Sequence, residues 1–106
     1  VFEGFLSPKP GRRRSRLREL LASGAAVILY ESPFRIVKLL TDIADINSDR
    51  RIVIGRELTK LHEEIIEGTA AELRDDFAGR PSIKGEFAVF ISGTKKIQLS
   101  DESTDN

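Results

Sequence analysis

A dense set of charged side chains follows an apolar run in the middle of the chain. Residues 52–54 are all β-branched, which is typical of a buried strand, and this run stops at Gly55. The titratable side chains that follow are Arg56, Glu57, Lys60, His62, Glu63 and Glu64. Because ligands of α/β folds bind beyond the carboxyl ends of strands, this pattern indicates a candidate site for binding or proton transfer. The alternative interpretation is that these charges are simply solvated where a strand leaves the core.

A second charged cluster opens a predicted helix at residues 12–23. It consists of five arginines, namely Arg12, Arg13, Arg14, Arg16 and Arg18. Positive charge near a helix N-terminus opposes the helix dipole by a few tenths of a kcal/mol per residue, so helix stability does not explain these side chains. Two interpretations remain, a phosphate-binding surface and a solvated helix face.

A third polar group follows the apolar run at residues 25–30. Glu31 would project from the end of this strand, and Arg35 would lie in the first turn of the next helix. Between them, Ser32 favours the N-cap position and Pro33 favours the first helical position. We interpret Ser32 and Pro33 as helix-start residues, and we keep Glu31 and Arg35 as candidate site residues.

Hydrophobic periodicity predicts the elements that must position these groups. Strands are expected at residues 1–6, 25–30, 51–57, 63–67 and 85–92, and helices at residues 12–23, 33–46 and 70–77. Residues 63–67 also fit a helical turn, but a strand is favoured because Thr69 and Glu72 form a capping box immediately afterwards. The order β-α-β-α-β-β-α-β predicts one α/β domain, with a mixed sheet flanked by helices and the last strand central. The polar residues 94–106 are expected to be a disordered tail.

Composition limits the possible chemistry. The 106 residues carry 17 basic and 17 acidic side chains, so only local charge clusters can indicate a nucleic-acid partner. Without Cys and with a single His, the chain can form neither disulfides nor Cys- or His-rich metal sites, and no metal is expected. No run approaches the roughly 20 apolar residues of a membrane span, and no secretory signal appears, so a cytoplasmic protein is expected. The chain begins with Val1 inside a predicted strand, which indicates a piece of a longer protein.

Several motifs together resemble one known family. They are Phe-Glu-Gly-Phe-Leu at residues 2–6, Tyr-Glu-Ser-Pro-Phe-Arg at 30–35, Arg-Glu-Leu-Thr-Lys-Leu-His-Glu-Glu at 56–64, Glu-Gly-Thr at 67–69 and Lys-Gly-Glu at 84–86. In this order and spacing, residues 1–93 resemble the C-terminal half of the ribosomal small-subunit RNA cytidine 2′-O-methyltransferases, within the tetrapyrrole (corrin/porphyrin) methylase superfamily. One position departs from the family pattern, since Phe34 stands where the family usually has His.

The resemblance implies half of a two-domain enzyme that binds S-adenosylmethionine in a cleft between its domains. The N-terminal domain with the glycine-rich cofactor loop is absent from this chain, so the chain alone is expected to be inactive. Cofactor contacts are implied for Phe5, Leu6, Arg56, Glu57, Leu58, Gly85 and Glu86. The implied partners are ribosomal RNA or the small ribosomal subunit, the missing domain, and a second copy in a homodimer.

The resemblance also suggests roles for the charged clusters. RNA phosphates would be met by Arg12, Arg13, Arg14 and Arg16, while Glu31, Arg35, Arg56 and Lys60 would line the cleft toward the ribose. Glu31 or Lys60 would assist removal of the hydroxyl proton, and the sequence does not choose between them. Two alternatives stay open. One is methylation of a corrin or porphyrin intermediate, since the carboxylates of such a molecule would also attract arginines. The other is a non-catalytic module for dimerisation or nucleic-acid binding.

Overall fold

The computed structural model describes residues 1–59 and 62–94. The elements in chain order are β1 (Phe2–Phe5), α1 (Pro10–Ala22), β2 (Val27–Glu31), α2 (Ile36–Ile46), β3 (Arg51–Thr59), β4 (His62–Thr69), α3 (Ala70–Ala78) and β5 (Glu86–Ile91). This order confirms the predicted β-α-β-α-β-β-α-β pattern. The predicted disordered tail lies outside the described residues, apart from residue 94.

The five strands form one mixed sheet in the order β1-β2-β5-β3-β4. Only the β1–β2 pair is parallel, and β5 pairs antiparallel with both β2 and β3. The central position of the last strand is therefore confirmed. The ambiguous segment after the charged cluster is a strand, because β4 pairs antiparallel with β3 along its length.

The core lies between one face of the sheet and the three helices. Along β2, Val27, Leu29 and Glu31 are buried while Ile28 and Tyr30 are exposed, and β5 alternates in the same way. The helices complete the same cluster with Leu17, Leu20, Leu21, Ile36, Leu39, Leu40, Ile43, Ala70, Leu73 and Phe77. The apolar helix stripes predicted from the sequence are thus confirmed, and all three helices cover a single face of the sheet.

Two helix starts differ from the prediction. The first helix begins at Pro10 rather than at residue 12. Proline is favourable at this position, because the first N–H groups of a helix have no partner within the helix and the missing N–H of proline costs nothing there. The second helix begins at Ile36, with Arg35 as its N-cap residue, so the assignment of Ser32 and Pro33 to its start is wrong. Residues 32–35 instead form a turn in which the Arg35 amide donates to the Ser32 carbonyl at 3.1 Å. None of the helices among the described residues has the length and apolar character needed to cross a membrane.

Candidate functional site

The register of the sheet gathers the predicted site segments at one end, which we call the site end. Phe87 at the start of β5 lies opposite Glu31 on one side and Arg56 on the other. One residue earlier, Glu86 lies opposite Glu57 of β3. With neighbouring strands roughly 4.8 Å apart, the backbones at Glu31 and Arg56 are separated by about 10 Å across β5.

Glu31 is buried on the helix side of the site end. Its Oε1 accepts from the Ser32 amide at 2.7 Å and from Arg35 Nε at 3.2 Å. The structure therefore brings together Glu31 and Arg35, which were both candidate site residues. The Arg35 side chain is more than a third exposed, so this pair lies at the border between the core and solvent.

Contrary to the prediction from the sequence, the hydroxyl of Ser32 does not cap the second helix. Its Oγ is buried and has no hydrogen-bond partner among the described residues. The helix that follows starts four residues later, so this hydroxyl caps nothing. A buried polar atom without a partner is costly, which makes Ser32 Oγ a candidate contact for a bound group at this end of the sheet.

Arg56, one of the predicted cofactor-contact residues, is held by contacts to two neighbouring segments. Its terminal nitrogens reach a Glu64 carboxylate oxygen at 2.8 Å and the Lys84 carbonyl at 3.3 Å. Its Nε is buried and has no partner among the described residues. Arg56 thus ties β3 to β4 and to the segment before β5, and it keeps one buried donor for a further acceptor.

Glu64 is shared between two arginines. Arg80, just after α3, donates to both Glu64 oxygens at 3.0 Å and to Asp76 at 3.0 Å. The hydrogen bonds from Arg80, with the nearby charge of Arg56, hold the pKa of Glu64 below its ordinary value, and the same bonds raise the pKa of Arg80. Arg80 was not identified from the sequence.

Aromatic rings support this ion-pair cluster from the core side. The Arg80 guanidinium lies 4.6 Å from the centre of the Phe77 ring, and Phe77 packs edge-on against Phe87 at 5.2 Å. Because Phe87 also lies between Glu31 and Arg56 in the sheet, the cluster and the Glu31–Arg35 pair share one aromatic wall. Ion pairs and aromatic packing therefore organise the site end on its helix side.

The arginines of α1 are engaged differently from the prediction. Arg13 is buried and donates to Asp42 of α2 at 2.8 Å, and Arg14 bonds the other oxygen of the same carboxylate. Arg16 forms a two-pronged pair with Glu3 at 2.8 Å, which lowers the pKa of Glu3. The interpretation of this cluster as a simple solvated face is therefore wrong for Arg13, which is buried and inaccessible to a phosphate in this conformation. Arg14 and Arg16 are paired but keep 32% and 44% of their side chains exposed. Arg12 is exposed.

The remaining predicted site residues divide between the two faces of the sheet or are not described. Leu6 is partly buried against the core, whereas Phe5 is exposed on the opposite face and packs against Tyr30. Gly85 adopts a φ of 93°, a backbone conformation that L side chains rarely adopt, which favours glycine at this position. Lys60 lies outside the described residues, and the side chains of Glu57 and Leu58 are not described.

No group of three or more His, Cys, Asp or Glu side chains suited to a metal ion occurs within residues 1–59 and 62–94. The polar groups at the site end are instead arginine donors, single carboxylates, a serine hydroxyl and a glycine backbone. Such a set offers hydrogen-bond donors and acceptors to a small polar molecule, with Glu31 as a buried carboxylate acceptor.

Comparison with known proteins gives one family. A family description for "Tetrapyrrole (Corrin/Porphyrin) Methylases" matches residues 1–74. Among curated proteins, "Ribosomal RNA small subunit methyltransferase I" of Borrelia garinii subsp. bavariensis is 41% identical over 93 residues, covering 87% of this chain and 42% of the relative. The proteins of the same name from Xylella fastidiosa strain Temecula1 and Bacillus subtilis are 44% and 35% identical, over 88% and 95% of this chain. The chain spans 35% and 34% of the lengths of these two relatives.

Solved structures show the same fold at low sequence identity. A cobalt precorrin-4 methyltransferase of cobalamin biosynthesis, CbiF, aligns with a TM-score of 0.63 and 14% identity, over 87% of this chain and 40% of the other. The methyltransferase CobJ aligns with a TM-score of 0.63 and 16% identity, over 89% of this chain and 41% of the other. These similarities confirm the α/β fold class predicted from the element order.

Proposed function

The chain belongs to the tetrapyrrole (corrin/porphyrin) methylase family, and from this premise we propose that it forms one wall of the active-site cleft of an S-adenosylmethionine-dependent methyltransferase. The proposed reaction is methylation of the 2′-hydroxyl of a cytidine in small-subunit ribosomal RNA. The names of the curated relatives, which are ribosomal RNA small-subunit methyltransferases, support RNA as the acceptor. The proposed partners are ribosomal RNA, a domain carrying the glycine-rich cofactor loop, and a second copy of the chain.

One observation carries the proposal: three segments of this chain that the resemblance assigns to the cofactor meet at the site end. They are the end of β1, the end of β3 and the start of β5, which are far apart in sequence. The ends of β3 and β5 are direct neighbours in the sheet, and the end of β1 lies at the same end of the sheet with β2 between it and β5. Their polar groups fit an amino-acid-like ligand. The free donor at Arg56 Nε suits a carboxylate, and the missing side chain at Gly85 lets a ligand approach the backbone.

S-adenosylmethionine would supply a methyl group activated by a positively charged sulfur. The residues of this chain would bind and orient it, through Arg56, Gly85 and the carboxylates Glu57 and Glu86. Alignment of the methyl group with the hydroxyl is the main requirement of such a transfer. Glu31, or Lys60 outside the described residues, would accept the hydroxyl proton, and Arg35 would hold Glu31 in place through the bond at 3.2 Å.

Calorimetric titration tests the cofactor part of the proposal. S-adenosylmethionine and its demethylated product, S-adenosylhomocysteine, are titrated into this chain alone and into the full-length protein to which it would belong. We expect binding only by the full-length protein, with a loss of tenfold or more for Arg56→Ala. The matched control is Arg74→Ala, because Arg74 lies on α3 and, among the described residues, forms an ion pair with the exposed Asp75. Absence of binding by both proteins would overturn the proposal.

The acceptor is tested by methyl transfer with the full-length protein. Small ribosomal subunits and a set of corrin and porphyrin intermediates are offered with radioactive S-adenosylmethionine. Label in ribosomal RNA, lost when the cytidine ribose carries a 2′-deoxy group, supports the proposed reaction. Label in a tetrapyrrole instead would retain the methyltransferase assignment and overturn the RNA assignment.

A further inference from the structure

The turn between β2 and α2 presents one large apolar side chain to solvent. Phe34 in this turn is 91% exposed, and the other exposed large apolar side chains in the described part of the chain are at most 74% exposed. A phenylalanine ring buries roughly 150–250 Å² when it is covered, so a partner of this ring would gain a substantial contact. Isolated exposed apolar residues are common on protein surfaces, so the role of Phe34 has to be inferred from how it is held and from what surrounds it.

The turn that carries Phe34 is fixed on both sides. The Arg35 amide donates to the Ser32 carbonyl at 3.1 Å, and the Ser32 amide donates to Glu31 Oε1 at 2.7 Å. The Arg35 side chain donates to the same carboxylate oxygen at 3.2 Å, and the ring of Pro33 fixes its own φ. Phe34 is therefore presented by a pre-organised turn, so less conformational entropy is lost when a partner covers its ring.

This turn lies at the site end, directly after the proposed proton acceptor. Glu31 is the last residue of β2 and is buried, and Phe34 follows it by three residues. Between them in the chain, Ser32 Oγ is buried without a hydrogen-bond partner among the described residues. A wholly apolar partner would leave this hydroxyl unsatisfied, which is costly. A nucleotide could satisfy the hydroxyl and cover the ring, because it combines polar groups with a flat aromatic base.

Charge divides the site end into two halves. No acidic residue occurs at residues 6–13, which lead from β1 into α1, or at residues 32–35. Of the basic side chains in these segments, Lys9 and Arg12 are exposed and Arg35 is more than a third exposed. Three acidic positions lie together on the other half, formed by β3, β4 and β5, namely Glu57, Glu63 and Glu86. A polyanion such as RNA would therefore approach the half that carries Phe34.

We propose that Phe34 stacks on a nucleobase of the acceptor RNA and so positions the strand at the site end. This inference rests on the proposed methylation of RNA and adds to it a residue that would hold a base. Proteins commonly hold unpaired nucleotides by stacking bases on aromatic side chains, while basic side chains meet the phosphates. The adenine ring of the cofactor is a poorer occupant, because residues 32–35 are not among the three segments that the resemblance assigns to the cofactor.

Steady-state methylation of small ribosomal subunits by the full-length protein tests the stacking contact. We expect Phe34→Ala and Phe34→Leu to raise the KM for the subunit roughly tenfold or more, because neither variant has a ring. Phe34→Trp and Phe34→His keep a flat aromatic side chain and should restore most of the affinity. Leucine is the matched control for apolar packing, since it keeps an apolar side chain but loses the flat face.

Three further measurements separate stacking from other roles of Phe34. All four variants should keep the thermal transition of the full-length protein, because Phe34 lies on the surface. Calorimetry should show unchanged affinity for S-adenosylhomocysteine, since the ring would not contact the cofactor. Phe34→Ala should weaken RNA binding by the same factor at low and high salt, because stacking releases no counterions, whereas Arg12→Ala should reduce the salt dependence.

An unchanged KM in Phe34→Ala would overturn the inference and leave the proposed methylation intact. The same holds if Phe34→Leu behaves like the unsubstituted protein or if Phe34→Ala lowers the thermal transition, because the ring would then pack against the rest of the full-length protein. Loss of S-adenosylhomocysteine binding in Phe34→Ala would place the ring at the cofactor instead. Failure of the unsubstituted protein to methylate the subunit would overturn the proposed function and the inference with it, so the two failures are distinguished before any variant is made.

Discussion

Glu64 shows how much a single carboxylate can organise at the site end. Its two oxygens hold Arg80 in a two-pronged pair, and one of them also meets Arg56 of the neighbouring strand. Charge-assisted pairs of this geometry are stronger than single exposed ion pairs and fix both guanidinium planes. Glu64 positions Arg56 and is itself held by Arg80. The donor that Arg56 offers at the site end therefore depends on Arg80, which is 24 positions away in the chain.

The lowered pKa of Glu64 predicts how its contribution depends on pH. A carboxyl whose pKa is lower in the folded than in the unfolded chain stabilises the fold above its unfolded pKa, and this contribution disappears as pH falls through the folded pKa. Glu64→Gln should therefore reduce the free energy of unfolding by about 1 kcal/mol at pH 7, and by much less near pH 3. Urea unfolding at several pH values measures this difference.

Glu67→Gln is the control for this titration, because Glu67 is an exposed residue of the same strand. Its effect should be small at every pH. A Glu64→Gln effect that stays constant between pH 7 and pH 3 would show that the charge of Glu64 does not stabilise the fold.

At the scale of elements, α3 depends on a reciprocal cap that the sequence already indicated. The Glu72 amide donates to the Thr69 hydroxyl at 3.2 Å, and the Thr69 amide donates to the Glu72 carboxylate at 2.9 Å. The glycine before the cap is part of the device, since a Cβ at Gly68 would lie 2.7 Å from the same carboxylate oxygen. This cap fixes where β4 ends and where the helix that carries Phe77 toward the site begins.

Removing the capping hydroxyl should cost about 1 kcal/mol. Thr69→Ala is therefore expected to lower the midpoint of thermal unfolding by roughly 4–8 °C and to speed amide exchange in the first turn of α3. Thr69→Ser keeps the hydroxyl and should recover most of the loss. Equal destabilisation by alanine and serine would mean that packing of the threonine methyl group, and not the cap, supports the helix start.

The elements that the sequence predicted well are those specified by local patterns. The cap of α3, the apolar stripe of each helix and the central strand β5 all follow from residues close together in the chain. The start of α2 was predicted wrongly because local preference for Ser32 and Pro33 was overridden by the turn that directs Arg35 to Glu31. Local propensity is a weak guide where a buried carboxylate needs a partner.

Long-range ion pairs limited how much of the candidate site could be predicted from the sequence. The Arg13–Asp42 pair joins residues 29 positions apart, and the Arg80–Glu64 pair joins residues 16 positions apart. No periodicity distinguishes such partners from the many other charged side chains of a sequence that is 32% charged. The strand ends that hold the candidate site were predictable, because buried runs end where polar residues begin, but the partners that rigidify it emerge only from the fold.

At the scale of the whole molecule, a buried arginine joins three distant segments at the end of the sheet opposite to the site end. Arg50 is 3% exposed and donates to the Leu21 carbonyl at 3.1 Å, the Ala25 carbonyl at 2.6 Å and the Ser92 carbonyl at 2.6 Å. These acceptors belong to the last turn of α1, the entry to β2 and the exit from β5. Burial lowers the pKa of Arg50, yet an arginine remains charged at neutral pH.

The three hydrogen bonds of Arg50 predict that a single substitution at this position will strongly lower the free energy of unfolding. Arg50→Met fills a similar volume but leaves three backbone carbonyls without their donor, so the free energy of unfolding should fall by about 3 kcal/mol or more. Arg50→Lys should be intermediate, because one ammonium cannot reproduce the fork that spans three carbonyls. Arg18→Met, at an exposed position of α1, is the control and should change stability by less than about 0.5 kcal/mol. Urea unfolding could instead give Arg50→Met the same stability as this control. In that case the hydrogen bonds of Arg50 would not stabilise the junction of α1, β2 and β5, and apolar packing alone would have to hold it together.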